Sequence, residues 1–395
     1  MNTFISASGP ALVAPGSWLG MVGGGQLGRM FCHAAQSLGY KVAVLEPDPL
    51  SPAGVVADLH ICAPYDDEQA LASLSERCAA ITTEFENVSA QALTSLAQQR
   101  RVTPSGEAVG IVQDRIREKA FIAQAGVPLA PYAVIESLAD LEQADEALFP
   151  GILKAARFGY DGKGQARVAT REQALQAYEQ FGGVACVLEA LQDLEFEISV
   201  VMARALDGQV QAFPCARNEH RDGILAVSTV SESLQGSTWC EQARSNAAAI
   251  AEQLGYYGVM CVEFFILRDG RLIANEVAPR PHNSGHYTMD ASLTCQFEQQ
   301  VRVMTGLPLG SPTTLCPAIM LNLLGERWFD EQGQYQEPDW QALLAIPGVC
   351  LHLYGKLEPR HGRKMGHVNI LGANDEQVHQ RAAQAAAVLG MAFHE

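Results

Sequence analysis

The sequence predicts an α/β protein, α+β in part. A doubly wound parallel-sheet domain comes first, then a domain on a mixed or antiparallel sheet, then a small C-terminal unit. Three observations predict it. From Trp18 the pattern runs strand, glycine turn, helix, strand, as in parallel sheets covered on both faces. Beyond residue 115 apolar strands recur at short spacing, and two are joined by Arg268-Asp269-Gly270-Arg271, a hairpin signal. At 395 residues the chain is also too long for one ordinary core.

In chain order, residues 1–16 have no basic start and no long apolar stretch, and read as a loose extension, neither signal peptide nor membrane anchor. The first domain spans 17–115. Leu19, Met21 and Val22 lead into Gly23-Gly24-Gly25-Gln26-Leu27-Gly28, and Leu27, Met30, Phe31, Ala34 and Leu38 then recur at helical steps. Lys41 to Glu46 and Ala79 to Thr83 read as buried strands.

The second domain spans 116–311. Helices between Ala108 and Ala125 lead into it, and strands are expected at 150–154, 167–169, 185–189, 197–203 and 209–214. A helix follows from Thr238 to Leu254, then strands 259–267 and 272–277 and a helix from Phe297 to Thr305. The third unit, 312–395, has strands at 318–324, 349–354 and 367–370. Its closing helix turns Val378, Ala382, Ala385 and Leu389 inward.

Apolar residues make up 48% and charged residues 18%, with a net charge of −17. That balance argues against nucleic-acid and anionic-membrane partners, so a phosphate-bearing partner must be small and held by a local cluster of Lys and Arg. The ten cysteines occur singly, with no CxxC pair, which excludes the usual structural zinc motif and fits a reducing cytoplasm.

Three motifs carry chemistry. Gly23-x-Gly25-x-x-Gly28, with Glu46 ending the next strand, matches a dinucleotide fingerprint. The same glycines also serve any tight strand-to-helix turn, and the reading favoured here is a helix N-terminus holding the phosphate of a small substrate. A nicotinamide-dependent oxidoreductase stays open as the competing class. The second motif is Lys154 on an apolar strand, its ammonium held at a sheet edge, followed by Gly159-Tyr160-Asp161-Gly162-Lys163-Gly164-Gln165. Glycines let main-chain N–H groups approach phosphate oxygens and lysines neutralise them; an exposed Asp-Gly hairpin is the bland alternative. In the third, Glu263 and Glu276 lie in adjacent apolar strands, where a carboxylate is costly unless paired or bound to a cation. Mg²⁺ is favoured over an internal ion pair with Arg280, because the glycine loop supplies the other half of a nucleotide site.

This combination resembles the ATP-grasp superfamily. Within it, the strings GGGQLGRM, TTEFENV, GYDGKGQ, EHRDGIL, GVMCVEFF, NEVAPRPHNSGHYT and GRKMGHVN, in order between residues 23 and 369, are similar to the N5-carboxyaminoimidazole ribonucleotide synthetase family of purine biosynthesis. The sister transformylase family shares the EVxPRPH core, but Asn283-Ser284-Gly285-His286 fits the carboxylating family better. Ala278 departs from the many ATP-grasp proteins that carry a metal-binding Asn there.

The resemblance implies an ATP-grasp fold between an N-terminal Rossmann-like domain and a small C-terminal domain. The implied enzyme is a cytoplasmic, homodimeric ligase using ATP with Mg²⁺ or Mn²⁺. It would carboxylate 5-aminoimidazole ribonucleotide with bicarbonate through carboxyphosphate, giving ADP and phosphate. The resemblance assigns the ATP site to Arg115, Lys154, Gly159, Tyr160, Asp161, Gly162, Lys163, Gly164, Gln165, Glu189, Ala190, Leu191, Gln192, Glu197, His220, Asn275 and Glu276. Of these, 189–192 would form the hinge around adenine and Glu197 would take the ribose. Glu263 and Glu276 would hold the metal, and Arg280, His282 and Asn283 would cradle bicarbonate, with Asp161 and Lys356 also catalytic. Gln26, Leu27, Glu84, Asp161, Lys356, Arg363 and Lys364 would bind the ribonucleotide.

Overall fold

The computed structural model describes residues 11–157 and 164–393. Its first sheet is parallel, formed by β1 (Trp18–Val22), β2 (Lys41–Leu45), β3 (Leu59–Ile61), β4 (Ala80–Thr83) and β5 (Arg101–Val102) in the order β3-β2-β1-β4-β5. The central strands are apolar without alternation because helices cover both faces. The helix Gln26–Ser37 presses Leu27, Met30 and Phe31 onto that sheet. Burying each such side chain contributes about 1.5–3 kcal/mol. The edge strands β3 and β5, three and two residues long, are too short to leave a periodic signal and were not expected.

A second, antiparallel sheet holds β6 (Tyr132–Ile135), β7 (Gly151–Ala155), β8 (Gln165–Val168) and β9 (Cys186–Ala190), ordered β6-β9-β7-β8. Lys154 therefore projects from an interior strand, not from the sheet edge the sequence suggested. The N–H of Ala155 donates to the carbonyl of Gly164 at 2.8 Å, which extends the β7–β8 pairing by one hydrogen bond.

The third sheet is antiparallel and long. It comprises β10 (Leu194–Arg204), β11 (Val210–Ala212), β12 (Ala216–Arg221), β13 (Ile224–Val230), β14 (Gly258–Leu267), β15 (Leu272–Ala278), β16 (Ala318–Leu324), β17 (Val349–Leu353) and β18 (Lys364–Leu371). The order is β15-β14-β10-β12-β13-β16-β18-β17, with β11 beside β10. The expected hairpin is the β14–β15 turn, where Gly270 takes φ +85°. The strands beyond residue 312 do not form a sheet of their own: Val230 pairs with Ala318 and the ladder continues without a break. Val378, Ala382, Ala385 and Leu389 pack on that extension, as their spacing predicts.

β12 and β13 were not anticipated, because Ala216–Arg221 is mostly polar. Their turn, Asp222-Gly223, carries two successive positive φ values (51° and 78°), the backbone of a tight hairpin. Residues 11–16, read as part of a loose extension, are tied down. Val13 donates its N–H to Thr305 and accepts from the Tyr40 hydroxyl, and Arg101 donates to the carbonyl of Ala11. All ten cysteines are free thiols.

Candidate active site

A cleft of about 1740 Å³ opens between the three sheets. Arg115, Lys154, Gln165, Glu189 to Gln192, Glu197, His220, Glu263, Asn275, Glu276, Arg280, His282 and Asn283 all line it. So do Gln26, Leu27, Glu84, Lys356, Arg363 and Lys364. Gly164 lies beside the cleft without lining it, and Gly159, Tyr160, Asp161, Gly162 and Lys163 fall outside the described residues, as does His394.

Several of the charged side chains are matched in pairs. Register places Glu263 of β14 opposite Glu276 of β15. Arg115, first residue of the helix Arg115–Gln124, lies 3.1 Å from Glu276. Against the burial penalty, Arg115 and Lys154 hold the Glu276 carboxyl below the usual range. Glu263 lacks such a cation. Burial, reinforced by Glu276, pushes it up to about 7. Arg280 turns away from both and grips the carboxylate of Glu86 through Nε and Nη2. The internal pair between Arg280 and the two strand glutamates, the alternative to a metal, is therefore not formed. Glu86 is held at about 2 in spite of burial, because Arg280 lies against it.

His282 is oriented by its ring Nδ1 at 2.8 Å from Ser284 Oγ, and its Nε2 faces Glu263 at 3.5 Å. Burial, then the charge of Arg280, lowers it well below the ordinary imidazole range, so it is neutral at pH 7. Asn283 is buried with neither side-chain polar atom hydrogen-bonded among the described residues. An amide whose oxygen and nitrogen both lack partners at the cleft wall costs free energy unless a ligand meets it. His220 Nδ1 lies 2.7 Å from Glu197. In the hinge run, the N–H groups of Ala190 and Leu191 are donated to the carbonyls of Pro131 and Pro150. There a purine would find carbonyl oxygens and the Leu191 side chain.

The opposite wall corrects the reading of the glycine turn. Gly28 donates its N–H to Glu84 Oε2 at 2.7 Å, and Gly25 donates to Glu84 Oε1. Gly24 donates to Glu46 at 2.8 Å, and the Tyr65 hydroxyl donates to the same oxygen. The helix N-terminus expected to hold a phosphate is occupied by the chain's own carboxylate. Glu46, the acid that completes the dinucleotide fingerprint, is likewise committed, which removes the basis of the dinucleotide reading. A Cβ on Gly25 would come within 2.6 Å of Glu84, so glycine serves this carboxylate contact. At the third wall, Lys356 Nζ donates to the carbonyl of Lys364 and Arg363 to that of Glu358.

Three family models cover most of the chain: a ribonucleotide synthetase preATP-grasp domain at 17–113, an ATP-grasp domain at 120–297 and a phosphoribosylaminoimidazole carboxylase C-terminal domain at 318–381. The N5-carboxyaminoimidazole ribonucleotide synthase of Brucella melitensis is 44% identical over 357 residues, 90% of this chain and 96% of the relative. The chain belongs to the N5-carboxyaminoimidazole ribonucleotide synthase family. A second family member, from Bacillus subtilis, is 39% identical over 93% of this chain and 94% of its own length. The Staphylococcus aureus synthetase solved with ADP superposes at a TM-score of 0.87, with 35% identity over 96% of this chain and 99% of that one. The Aspergillus clavatus synthase, solved with ADP and 5-aminoimidazole ribonucleotide, gives 0.84 at 27% identity over 95% and 99%. The fold is accordingly that of an ATP-grasp ligase.

Sequence reasoning missed Glu86, Glu118 and Lys119. Glu118 is buried, accepts the N–H of Val277 at 2.6 Å, and is raised to about 7 by that burial. Lys119 lies 3.1 Å from Glu189, which Lys154 also meets at 3.0 Å. Glu86 sits inside a string quoted for the family resemblance, and Glu118 and Lys119 lie in the helix that begins at Arg115. Both lie one helical turn before the buried Ile122, so a charge on the apolar face of that helix is the signal that would have found them.

Proposed function

We propose that this chain carboxylates 5-aminoimidazole ribonucleotide with bicarbonate, using ATP and releasing ADP and phosphate, in purine biosynthesis. One observation carries the reading: phosphate-type cations, facing carboxylates and an unpartnered amide converge on one cleft, in a chain 44% identical to a synthase of that name. The Lys154 ammonium and Arg115 guanidinium would bind ATP phosphates. The segment from Gly159 to Gln165 would cover them, and Glu189 to Gln192 would flank the adenine. Glu197, steadied by His220, would take the ribose hydroxyls.

The donor set suits a hard divalent cation, Mg²⁺ or Mn²⁺. Glu263 and Glu276 face each other, and the buried Oδ1 of Asn275 has no hydrogen-bond partner among the described residues. Among the described residues no group of three or more His, Cys, Asp or Glu is arranged for a metal. That matches a cation held by one or two carboxylates together with substrate phosphates. When bound, it would neutralise the charge building on those phosphates.

Bicarbonate is a poor electrophile. An oxygen of bicarbonate attacks the γ-phosphorus, the bond to ADP breaks, and carboxyphosphate forms. The amine of the aminoimidazole then bonds to the carboxyl carbon as phosphate leaves and the amine proton is lost. Positioning and fixed charge do most of this work. Arg280, held rigid by Glu86, would aim its guanidinium at the developing oxyanions, while Asn283 and the neutral His282 donate or accept beside it. Lys356, Arg363 and Lys364 would hold the ribonucleotide against Gln26 and Leu27, with Asp161 near the amine; Glu84 serves the glycine turn.

ADP release measured with bicarbonate, formate and aminoimidazole ribonucleotide, each added or withheld, tests the reading. Turnover requiring bicarbonate supports it; turnover on formate would make the chain a transformylase. We also infer a cytoplasmic homodimer of protomers divided at residues 17–115, 116–311 and 312–395, from family likeness; sedimentation of the purified chain tests the dimer. No helix among the described residues is long and apolar enough to cross a membrane.

A further inference from the structure

Lys119 is the most deeply buried lysine side chain in an ion pair of this structure, 1% exposed, and it does not line the cleft. Lysines are almost never fully buried unless paired. Its partner is Glu189 Oε1, 3.1 Å away, and the same oxygen lies 3.0 Å from Lys154 Nζ. Glu189 and Lys154 do face the cleft. One carboxylate thus lies between two ammonium groups, one on the cleft side and one behind it, with the Tyr132 ring 5.9 Å from the hidden cation. Despite its burial, Glu189 stays ionised below the usual range because Lys154 and Lys119 both neutralise it.

We infer that Lys119 is a positioning residue for nucleotide binding: by neutralising Glu189 from behind, it lets the Lys154 ammonium exchange that carboxylate for phosphate oxygens. A buried ion pair is weak evidence for stability, since apolar residues of similar volume do as well. Removing one partner from such a pair is costly, because the other charge is left uncompensated. With Lys154 as the sole cation beside Glu189, turning to a phosphate would strand a buried carboxylate. Lys119 removes that penalty without touching the ligand. The inference rests on Lys154 as a phosphate ligand.

Calorimetric titration with a non-hydrolysable ATP analogue and Mg²⁺ tests it on five variants. K119M is expected to bind at least about tenfold more weakly than the parent, the scale of one charge-assisted contact, with KM for the ribonucleotide unchanged. K119R restores affinity to within about threefold. E189Q removes the charge that holds Lys154 back, so K119M/E189Q binds within about threefold of E189Q alone. K119M binding like the parent, or the double variant remaining tenfold weaker than E189Q, overturns the inference. If K119M does not fold, the comparison of K119M/E189Q with E189Q decides alone. K154M separates the two readings: normal affinity in K154M removes the phosphate assignment, whereas loss there with no effect at Lys119 removes only this inference.

Discussion

Two walls of the cleft carry glutamates, and they satisfy them differently. On the N-terminal wall, Glu84 and Glu46 are met by the main-chain N–H groups of Gly25, Gly28 and Gly24. On the sheet wall, Glu276 and Glu189 are met by Arg115 and by Lys154 with Lys119, and Glu86, on the loop after β4, is likewise met by a side-chain cation, Arg280. A main-chain donor in a strand-to-helix turn cannot swing, so its carboxylate is part of the architecture. A guanidinium or ammonium on a side chain can exchange its carboxylate for a ligand anion of the same charge. The kind of donor, more than the burial, separates structural acids from those that serve chemistry.

The largest expected effect lies on the sheet wall. Glu276→Gln should lower ADP release by at least about a hundredfold, the scale of losing one fixed electrostatic partner, with circular dichroism unchanged. Near-normal turnover would place Glu276 among the structural acids and break the contrast. Lys356→Ala should raise KM for the ribonucleotide about ten- to a hundredfold, as one charge-assisted contact does, and leave bicarbonate-dependent ATPase activity in place. Equal loss of both would move Lys356 to the ATP side.

Glu84→Gln tests the other wall, because its amide cannot accept from both N–H groups without facing one with a donor. A loss of about 1–3 kcal/mol in urea unfolding is expected, with little change in KM for ATP. Unchanged stability with a raised ribonucleotide KM would return Glu84 to the substrate contacts.

The smallest effect is acid dependence at Glu86. Its carboxyl titrates near 2 in the folded chain against an ordinary 4.5. The Arg280 pair therefore stabilises the fold fully above about pH 4.5, and that contribution fades as pH falls toward 2. Urea midpoints of Glu86→Gln should lie below the parent at pH 6 and draw closer by pH 3. A constant gap would show that the effect is not ionic.

What the sequence made legible was whatever repeats or sits locally. The apolar strand with Lys154, the 268–271 turn and the facing glutamates of β14 and β15 could be read because neighbours along the chain specify them. The pairings could not. Arg115 and Glu276 are 161 positions apart, and Arg280 and Glu86 are 194 apart, so no periodicity links them. The glycine turn misled for a related reason. Its spacing announces a helix N-terminus open to an anion, and only the fold shows that Glu84, 59 residues on from Gly25, fills it. β12 was hidden by composition, since Arg217, Asn218, Glu219 and His220 break the apolar pattern of a strand, and of these only His220 lines the cleft.

Because β15 and β18 belong to one unbroken ladder, Glu276 and Lys364 are fixed to the same plate. The separation between the acid proposed to hold the cation and the lysine proposed to hold the ribonucleotide is then a property of hydrogen-bonded registers, as on a ruler. Lys154 rides on β7, in a different plate. A tilt of that smaller sheet would change the separation of Lys154 from Glu276 and leave the spacing of Glu276 and Lys364 as it is.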